Sequence, residues 1–314
     1  MLEKRERYFI RHNLVLRGKR NQGAGLPLVG SDGALTAVKI LQAAVNKKTA
    51  HIDISGGDVV RITNVVLRPK DNLVIVLFRR RNPNAATQVF EDAVEQSIRP
   101  ADRGPKDDPA VSAHLFIDTR SRANGDASSY KAIMEEVQGL GASYMKLLMD
   151  EVVRKVEYDI IDSRGQAAKT SCKVDFYGVK SDNLQKAVTK NGFDFIELVK
   201  EPDLTGLDTE GLNIKPERLR LYPKRRGGSV GAAILDRVFG WAKNNGWSDI
   251  SVQIRTDDKT KVVKIGRDED AATTLFVKAD LVKVQADIPA CSDVVNEQLV
   301  SEAIKMFAAS TGWE

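Results

Sequence analysis

The sequence has little of what metal-dependent and covalent enzymes are built from. Its 314 residues include three histidines, His12, His51 and His114, and two cysteines, Cys172 and Cys291. Each histidine lies in a stretch of alternating apolar residues, and none is near another histidine or a cysteine. Zinc sites draw three or four ligands from His, Cys and carboxylates, and no such spacing occurs. There is no G-x-S-x-G elbow and no serine or cysteine with an evident activating base. The two cysteines are expected to be buried thiols in a reducing compartment, with nothing that calls for a disulfide. No catalytic residue, metal or cofactor is expected.

Long apolar runs are also missing. The longest, Leu73-Val-Ile-Val-Leu-Phe78, has strand length and falls far short of the ~20 residues of a membrane-spanning helix. The opening Met1-Leu-Glu-Lys-Arg-Glu-Arg7 is charged and leads into no apolar signal stretch. A cytoplasmic protein that does not insert into membranes is the expectation. No internal repeat and no low-complexity block is visible.

The composition, 42% hydrophobic and 29% charged, is that of a folded chain, with room for two domains at ~100–200 residues each. The stretch Pro100-Ala-Asp-Arg-Gly-Pro-Lys-Asp-Asp-Pro109 can continue neither a helix nor a central strand. It sets the expected division: an N-terminal domain over 1–100, a linker over 101–111 and a C-terminal domain over 112–314. The pattern predicts an α+β fold of mixed or antiparallel sheets with packed helices. Strands are expected at 8–16, 51–54, 59–67, 72–78, 113–118, 156–161, 171–177, 193–198, 214–221, 250–255, 261–265 and 275–284. A polar loop is expected over 120–129. Helices are expected around Val38–Val45, over 85–98, in the stretch ending near Arg154 with a break at Gly139-Leu-Gly141, from Ser181 to Asn191, over 230–245 and from Ser292.

Charge is the informative surplus. The net charge is +5 with a pI near 9.0, modest overall, but phosphate binding depends on clustering rather than on the total. Cations gather at Arg11, Arg17, Lys19 and Arg20, at Arg79-Arg80-Arg81, and above all at Arg218-Leu-Arg220-Leu-Tyr-Pro-Lys224-Arg225-Arg226. Arg218 and Arg220 alternate with Leu219 and Leu221, which sends both guanidinium groups to one face of a strand. Arg255, Lys259, Lys261 and Lys264 come from the following hairpin, expected beside that strand. Gly227-Gly-Ser-Val-Gly231 opens a helix whose free N–H groups suit a backbone phosphate, although it lacks the P-loop Lys-Ser/Thr pair. Such a surface follows phosphates without reading bases. Trp241 and Trp247 are expected in packing roles. Asp249 with Asp257-Asp-Lys259 has the acid, acid-x-lysine order of a Mg²⁺ nuclease, but its second half is expected in a solvated turn.

The basic segment resembles the RexA phage-exclusion family and, more distantly, the KwaB proteins of Kiwa antiviral systems. The resemblance is best at Leu221-Tyr-Pro-Lys-Arg-Arg226, the helix after it, Trp247-Ser-Asp-Ile-Ser-Val252 and Arg255-Thr-Asp-Asp-Lys259. It extends to Tyr8–Arg20, the short helix, the strand pairs through Phe78 and the C-terminal helix. It departs at Arg120–Glu151, which is longer here, and Gly139-Leu-Gly141 has no counterpart. The resemblance implies a homodimeric sensor of double-stranded DNA with little sequence preference, acting in phage exclusion beside a separate membrane effector protein. Two other classes stay open: a Mg²⁺-dependent nuclease or nucleotide-processing enzyme, and a scaffold whose basic face meets an acidic protein.

Overall fold

The computed structural model describes residues 3–19, 25–86, 89–102, 104, 106–124, 127–161, 165–200, 215–224, 229–247, 249–256, 259–265, 275–277, 279–309 and 313. The chain forms two compact units, Met1–Gly178 with Asp280–Thr311, and Val179–Ala279 with Gly312–Glu314. The fold class is α+β, with five α-helices and predominantly antiparallel strands among the described residues.

The first unit runs β1 (Glu6–Gly18), α1 (Ala37–Asn46), β2 (His51–Asp53), β3 (Val59–Arg68), β4 (Leu73–Arg81), β5 (Val89–Glu91), β6 (Ile98–Pro100), β7 (Ala110–Asn124), β8 (Ala127–Glu136), α2 (Ala142–Arg154), β9 (Glu157–Ile161) and β10 (Ala167–Gly178). The second runs β11 (Lys180–Asn183), α3 (Leu184–Asn191), β12 (Phe193–Lys200), β13 (Glu217–Leu221), α4 (Ser229–Asn244), β14 (Asp249–Thr256), β15 (Lys259–Ile265) and β16 (Leu275–Val277). The chain then returns to the first unit with β17 (Ala279–Lys283) and α5 (Glu297–Ala308).

The division expected at 101–111 is not where the chain parts. β4 and β7 lie on either side of the Pro-rich stretch and pair along their length, from Leu73↔Asp118 to Arg81↔Ala110. The prolines there interrupt backbone pairing locally, but the chain re-enters the same sheet. The sheet has the order β2-β3-β4-β7-β8-β1-β10-β9, with β17 also paired to β1. The true division follows Gly178. The strand expected over 275–284 straddles its far end: β16 pairs with β11 in the second unit, and β17 with β1 in the first.

The continuous apolar run of β4 has a simple cause. Val74, Val76 and Phe78 belong to the core shared with α1 and α2, while Leu73, Ile75 and Leu77 on the other face are equally buried. A strand covered on both faces needs no polar alternation. α1 places Val38 and Leu41 inward behind a Thr36 cap, whose Oγ1 accepts from Lys39 N at 3.3 Å. α2 buries Met145, Leu148, Met149, Val152 and Val153. α5 packs against β7 and buries Leu299, Val300, Ala303 and Phe307. Its N-cap is Asn296, not the expected Ser292, because the Asn296 side chain accepts from both Gln298 N and Leu299 N.

Two histidines are accounted for by the sheet. His114 Nδ1 stands 2.6 Å from Glu135 Oε2, and its Nε2 accepts the Asn296 N–H at 3.2 Å, so the Nδ1 proton faces the carboxylate. Arg7 Nε donates to the other Glu135 oxygen at 2.8 Å, and Arg7 also donates to the carbonyls of Ile288 and Pro289. This buried network ties β1, β7 and β8 to the segment entering α5. His12 is buried on β1, with its ring 6.1 Å from that of Phe176.

Three local expectations are corrected. The described residues of 85–98 form no helix: β5 and β6 are a hairpin closed by Asp92, whose Oδ1 accepts from Val94 N and Glu95 N. The loop expected over 120–129 is instead the end of β7 and the start of β8, paired from Ser121↔Tyr130 to Asn124↔Ala127. Residues 130–136, rich in helix-forming Lys, Ala, Met and Glu, are β8, held between β7 and β1. Ladders on both sides outweigh intrinsic propensity there.

Candidate nucleic-acid interface

The second unit holds the basic segment. Its main sheet has the order β13-β12-β14-β15, antiparallel throughout. Two helix–hairpin modules make it. α3 is capped by Asn183, not by the expected Ser181, and ends at Gly192 with φ 74° before β12 and β13. α4 ends at Gly246 with φ 75° before β14 and β15. A positive φ at a helix end is the position that favours glycine, and Gly192 and Gly246, each after an asparagine, both supply it. The register of the two central strands is that of a two-fold axis: matching Gly192 to Gly246 carries the pair Ile196↔Val252 onto Ile250↔Leu198. The two modules therefore share their order of elements and a symmetric register.

Strand alternation separates the two faces of this sheet. Ile196, Leu198, Ile250, Val252, Ile254, Val263 and Ile265 are buried with Leu184, Val188, Leu235 and Phe239 of the helices, and Leu219 and Leu221 pack against the same cluster. The intervening positions form the other face. Across it run two rows of register partners: Arg220, Glu197, Ser251 and Lys264, then Phe195, Gln253 and Val262. Arg218 lies opposite Val199, which in turn faces Asp249. Val262 is 51% exposed and Tyr222, just past β13, is 67% exposed, so this face is open.

Arg218 and Arg220 both lie on the open face, as their spacing predicts. Arg220 Nε donates to Glu197 Oε1 at 2.7 Å, and the guanidinium carbon lies 5.0 Å from the Phe195 ring centroid. The Glu197 carboxylate raises the Arg220 pKa further above its ordinary value. Arg218, Lys224 and Lys264 are exposed and make no ion pair with any described residue. Arg225, Arg226 and the glycine turn lie outside the described residues. Arg255, Lys259 and Lys261 are placed by register opposite Thr260, Thr256 and Ile254; their side chains are outside the described ones. The hairpin does not adjoin β13, because β12 intervenes. β13 and β15 are the two edges, about 14 Å apart at the usual ~4.8 Å strand spacing. Over residues 215–264 the sequence carries twelve lysines and arginines against five acidic residues.

The cations expected in the first unit are placed differently. Arg79 pairs with Asp293 and donates to the Ser292 carbonyl. Arg80 makes a two-point contact with the buried Asp58, Nε to Oδ1 at 3.0 Å and Nη2 to Oδ2 at 2.5 Å, donates to the Gly139 carbonyl and lies over the Tyr144 ring. Arg81 reaches the Gly57 carbonyl at 3.1 Å and Asp108 at 3.5 Å. Arg17 donates to Asp175 at 2.7 Å, and Lys146 reaches the same carboxylate at 2.8 Å. Burial opposes ionisation of Asp175, but Lys146 and Arg17 outweigh it and hold the carboxyl below its ordinary value. Lys19 is exposed, and Arg20 lies outside the described residues. These arginines serve carboxylates of their own unit, whereas Arg218, Lys224 and Lys264 of the second unit are exposed without one among the described residues.

Phe195, Gln253 and Val262 on the open face were not singled out from the sequence. The only available signal was the pair Phe193 and Phe195 in one strand, of which a bulge turns Phe193 inward and Phe195 outward. The rings of Trp241 and Trp247 lie 6.2 Å apart, with Trp247 buried and Trp241 about half exposed. Cys172 is buried and its thiol is pushed up to about 11 by burial; Cys291 is half-buried, and both are free. Among the described residues no three of His, Cys, Asp and Glu gather as a metal site, and no described helix is long and apolar enough to cross a membrane.

The nuclease-like pattern falls only partly on described residues. Asp249 begins β14 and Thr256 ends it, about 23 Å away at ~3.3 Å per residue. Asp257 is bonded to Thr256 and lies outside the described residues, as does Asp258.

No family model, curated protein or solved structure matches the chain.

Proposed function

We propose that this chain is a non-sequence-specific DNA-binding protein, acting as a homodimeric cytoplasmic sensor in phage exclusion. The observation that supports DNA binding best is the open face and edge of the β13-β12-β14-β15 sheet, where Arg218, Lys224 and Lys264 are exposed and unpaired among the described residues. Exposed cations spread over a sheet face and edge neutralise phosphates whatever the base sequence. The phage-exclusion setting, the dimer and a separate membrane effector rest on the resemblance to RexA at Leu221–Arg226 and Trp247–Val252.

A gel-shift series with duplexes of unrelated sequence tests the reading. The expected result is equal affinity for all of them, falling about a thousandfold between about 50 and 200 mM salt if some six phosphates are neutralised. Binding that ignores salt, or no binding, refutes it. Plasmid incubated with the protein and Mg²⁺ should stay intact; cleavage would favour the enzyme reading instead.

A further inference from the structure

We infer that the open sheet face carries a stacking site for unpaired bases, so that it takes single-stranded DNA in preference to duplex. This rests on the DNA-binding reading above and adds the kind of strand it selects.

The site is layered. Phe195 projects from β12 onto the open face. The Arg220 guanidinium lies over its ring at 5.0 Å and is fixed by the 2.7 Å bond to Glu197 on the neighbouring strand. Tyr222 stands beside both, its ring centroid 5.9 Å from that of Phe195, with the planes tilted by 56°. The Arg220 side chain, 53% exposed, and the 67%-exposed Tyr222 ring both meet solvent. Arg220 is held over the ring by Glu197, and a guanidinium above an aromatic ring is itself an attractive arrangement.

Bases within a duplex show only their edges, because both faces of each base are stacked on its neighbours. Aromatic ring faces offer nothing to such an edge. They do offer a partner to an unstacked base, and protein surfaces that take single strands combine this with cations tracking the backbone. Cations lie on the same face: Arg218 two residues back along β13, Lys224 two residues after Tyr222, and Lys264 at the far end of the row that begins with Arg220. A site for phosphate alone needs no aromatic residue. A site for an acidic protein needs none held under an arginine.

The test uses the full chain and three labelled probes of equal length: single-stranded oligo(dT), a DNA duplex and oligo(U) RNA. Single-stranded DNA is expected to bind about tenfold more tightly than duplex at matched salt, the gain of one or two stacked bases. Tyr222→Ala should remove about that tenfold while leaving duplex affinity within twofold, and Tyr222→Phe should retain it. Arg220→Lys keeps the charge and loses the plane, so it too should weaken single-strand binding selectively. A 2-aminopurine base at the centre of the single strand should change its fluorescence on binding the parent protein and not on binding Tyr222→Ala, a signature that charge attraction alone does not give. Thermal melting of each variant confirms that the fold is kept. Equal losses for single strand and duplex, no change in 2-aminopurine fluorescence, or tighter binding of RNA than of DNA would each overturn the inference. If the parent protein bound neither single-stranded nor duplex DNA, the DNA-binding reading itself would fall, which is a different result.

Discussion

Neutralising the outward cations of the second unit should reduce DNA binding by an amount that salt makes measurable. The variant is Arg218→Ala, Lys224→Ala and Lys264→Ala combined. All three side chains are exposed and have no ion-pair partner among the described residues, so each change should alter stability by no more than about 0.5 kcal/mol. Each lost phosphate contact makes the slope of log affinity against log salt shallower by about 0.9, so three make it shallower by about 2.7. A parent neutralising some six phosphates has a slope near −5.4 and loses about a thousandfold in affinity between about 50 and 200 mM salt, whereas the variant should lose only about fortyfold. Near 0.1 M salt the variant should bind roughly 500-fold more weakly. Fluorescence anisotropy with a labelled duplex at four salt concentrations gives both numbers. A variant with the parent's slope, the same melting temperature and the same affinity would refute the reasoning, because these three cations would then touch no phosphate.

Arg80→Ala should act on stability and not on DNA. It strips the buried Asp58 of its partner, at a cost of about 3 kcal/mol, and a melting temperature lowered by less than ~3 °C in calorimetry would show the pair to be dispensable. Glu197→Gln removes a negative charge from the open face and loosens its hold on Arg220, so duplex affinity should rise severalfold near ~0.1 M salt; a fall would contradict the placement of the DNA. Asp175 has its carboxyl held below its ordinary value in the folded state, so the unfolded chain takes up the proton first. Its contribution to stability is therefore present above the unfolded aspartate range and is lost as pH falls through the lowered folded value. Asp175→Asn should lower the melting temperature near pH 7 and flatten its decline below about pH 4, and an unaltered acid limb would count against that.

What could be read from the sequence followed from local pattern. The alternation of Arg218 and Arg220 with Leu219 and Leu221 put the guanidinium groups on one strand face, and that is where they are. The Asn-Gly pairs at 191–192 and 245–246 stopped two helices for a backbone reason visible in the letters alone. Long-range pairing was not legible. Nothing in Pro100–Pro109 reveals that β7 returns to β4, and nothing in Ala127–Glu136 says that a helix-prone segment will be claimed by strands on both sides. The arginine runs show the same limit most clearly. Arg79-Arg80-Arg81 looks like a phosphate-binding cluster until Asp293, Asp58 and Asp108 arrive from distant parts of the chain. A cation is fully available to neutralise a phosphate only where the fold leaves it without a carboxylate. Phe195 was missed for a related reason, since only a bulge in β12 turns it toward the open face.

The claim that DNA lies on the open sheet of the second unit is tested most directly by lysine footprinting. The protein is acetylated at limiting reagent with and without a saturating duplex, and each lysine is read by mass spectrometry. Lys224 and Lys264 should be protected by DNA, while Lys47 and Lys48, exposed in the first unit, should react at the same rate in both samples. Protection at Lys47 or Lys48 with Lys224 and Lys264 unchanged would contradict the account.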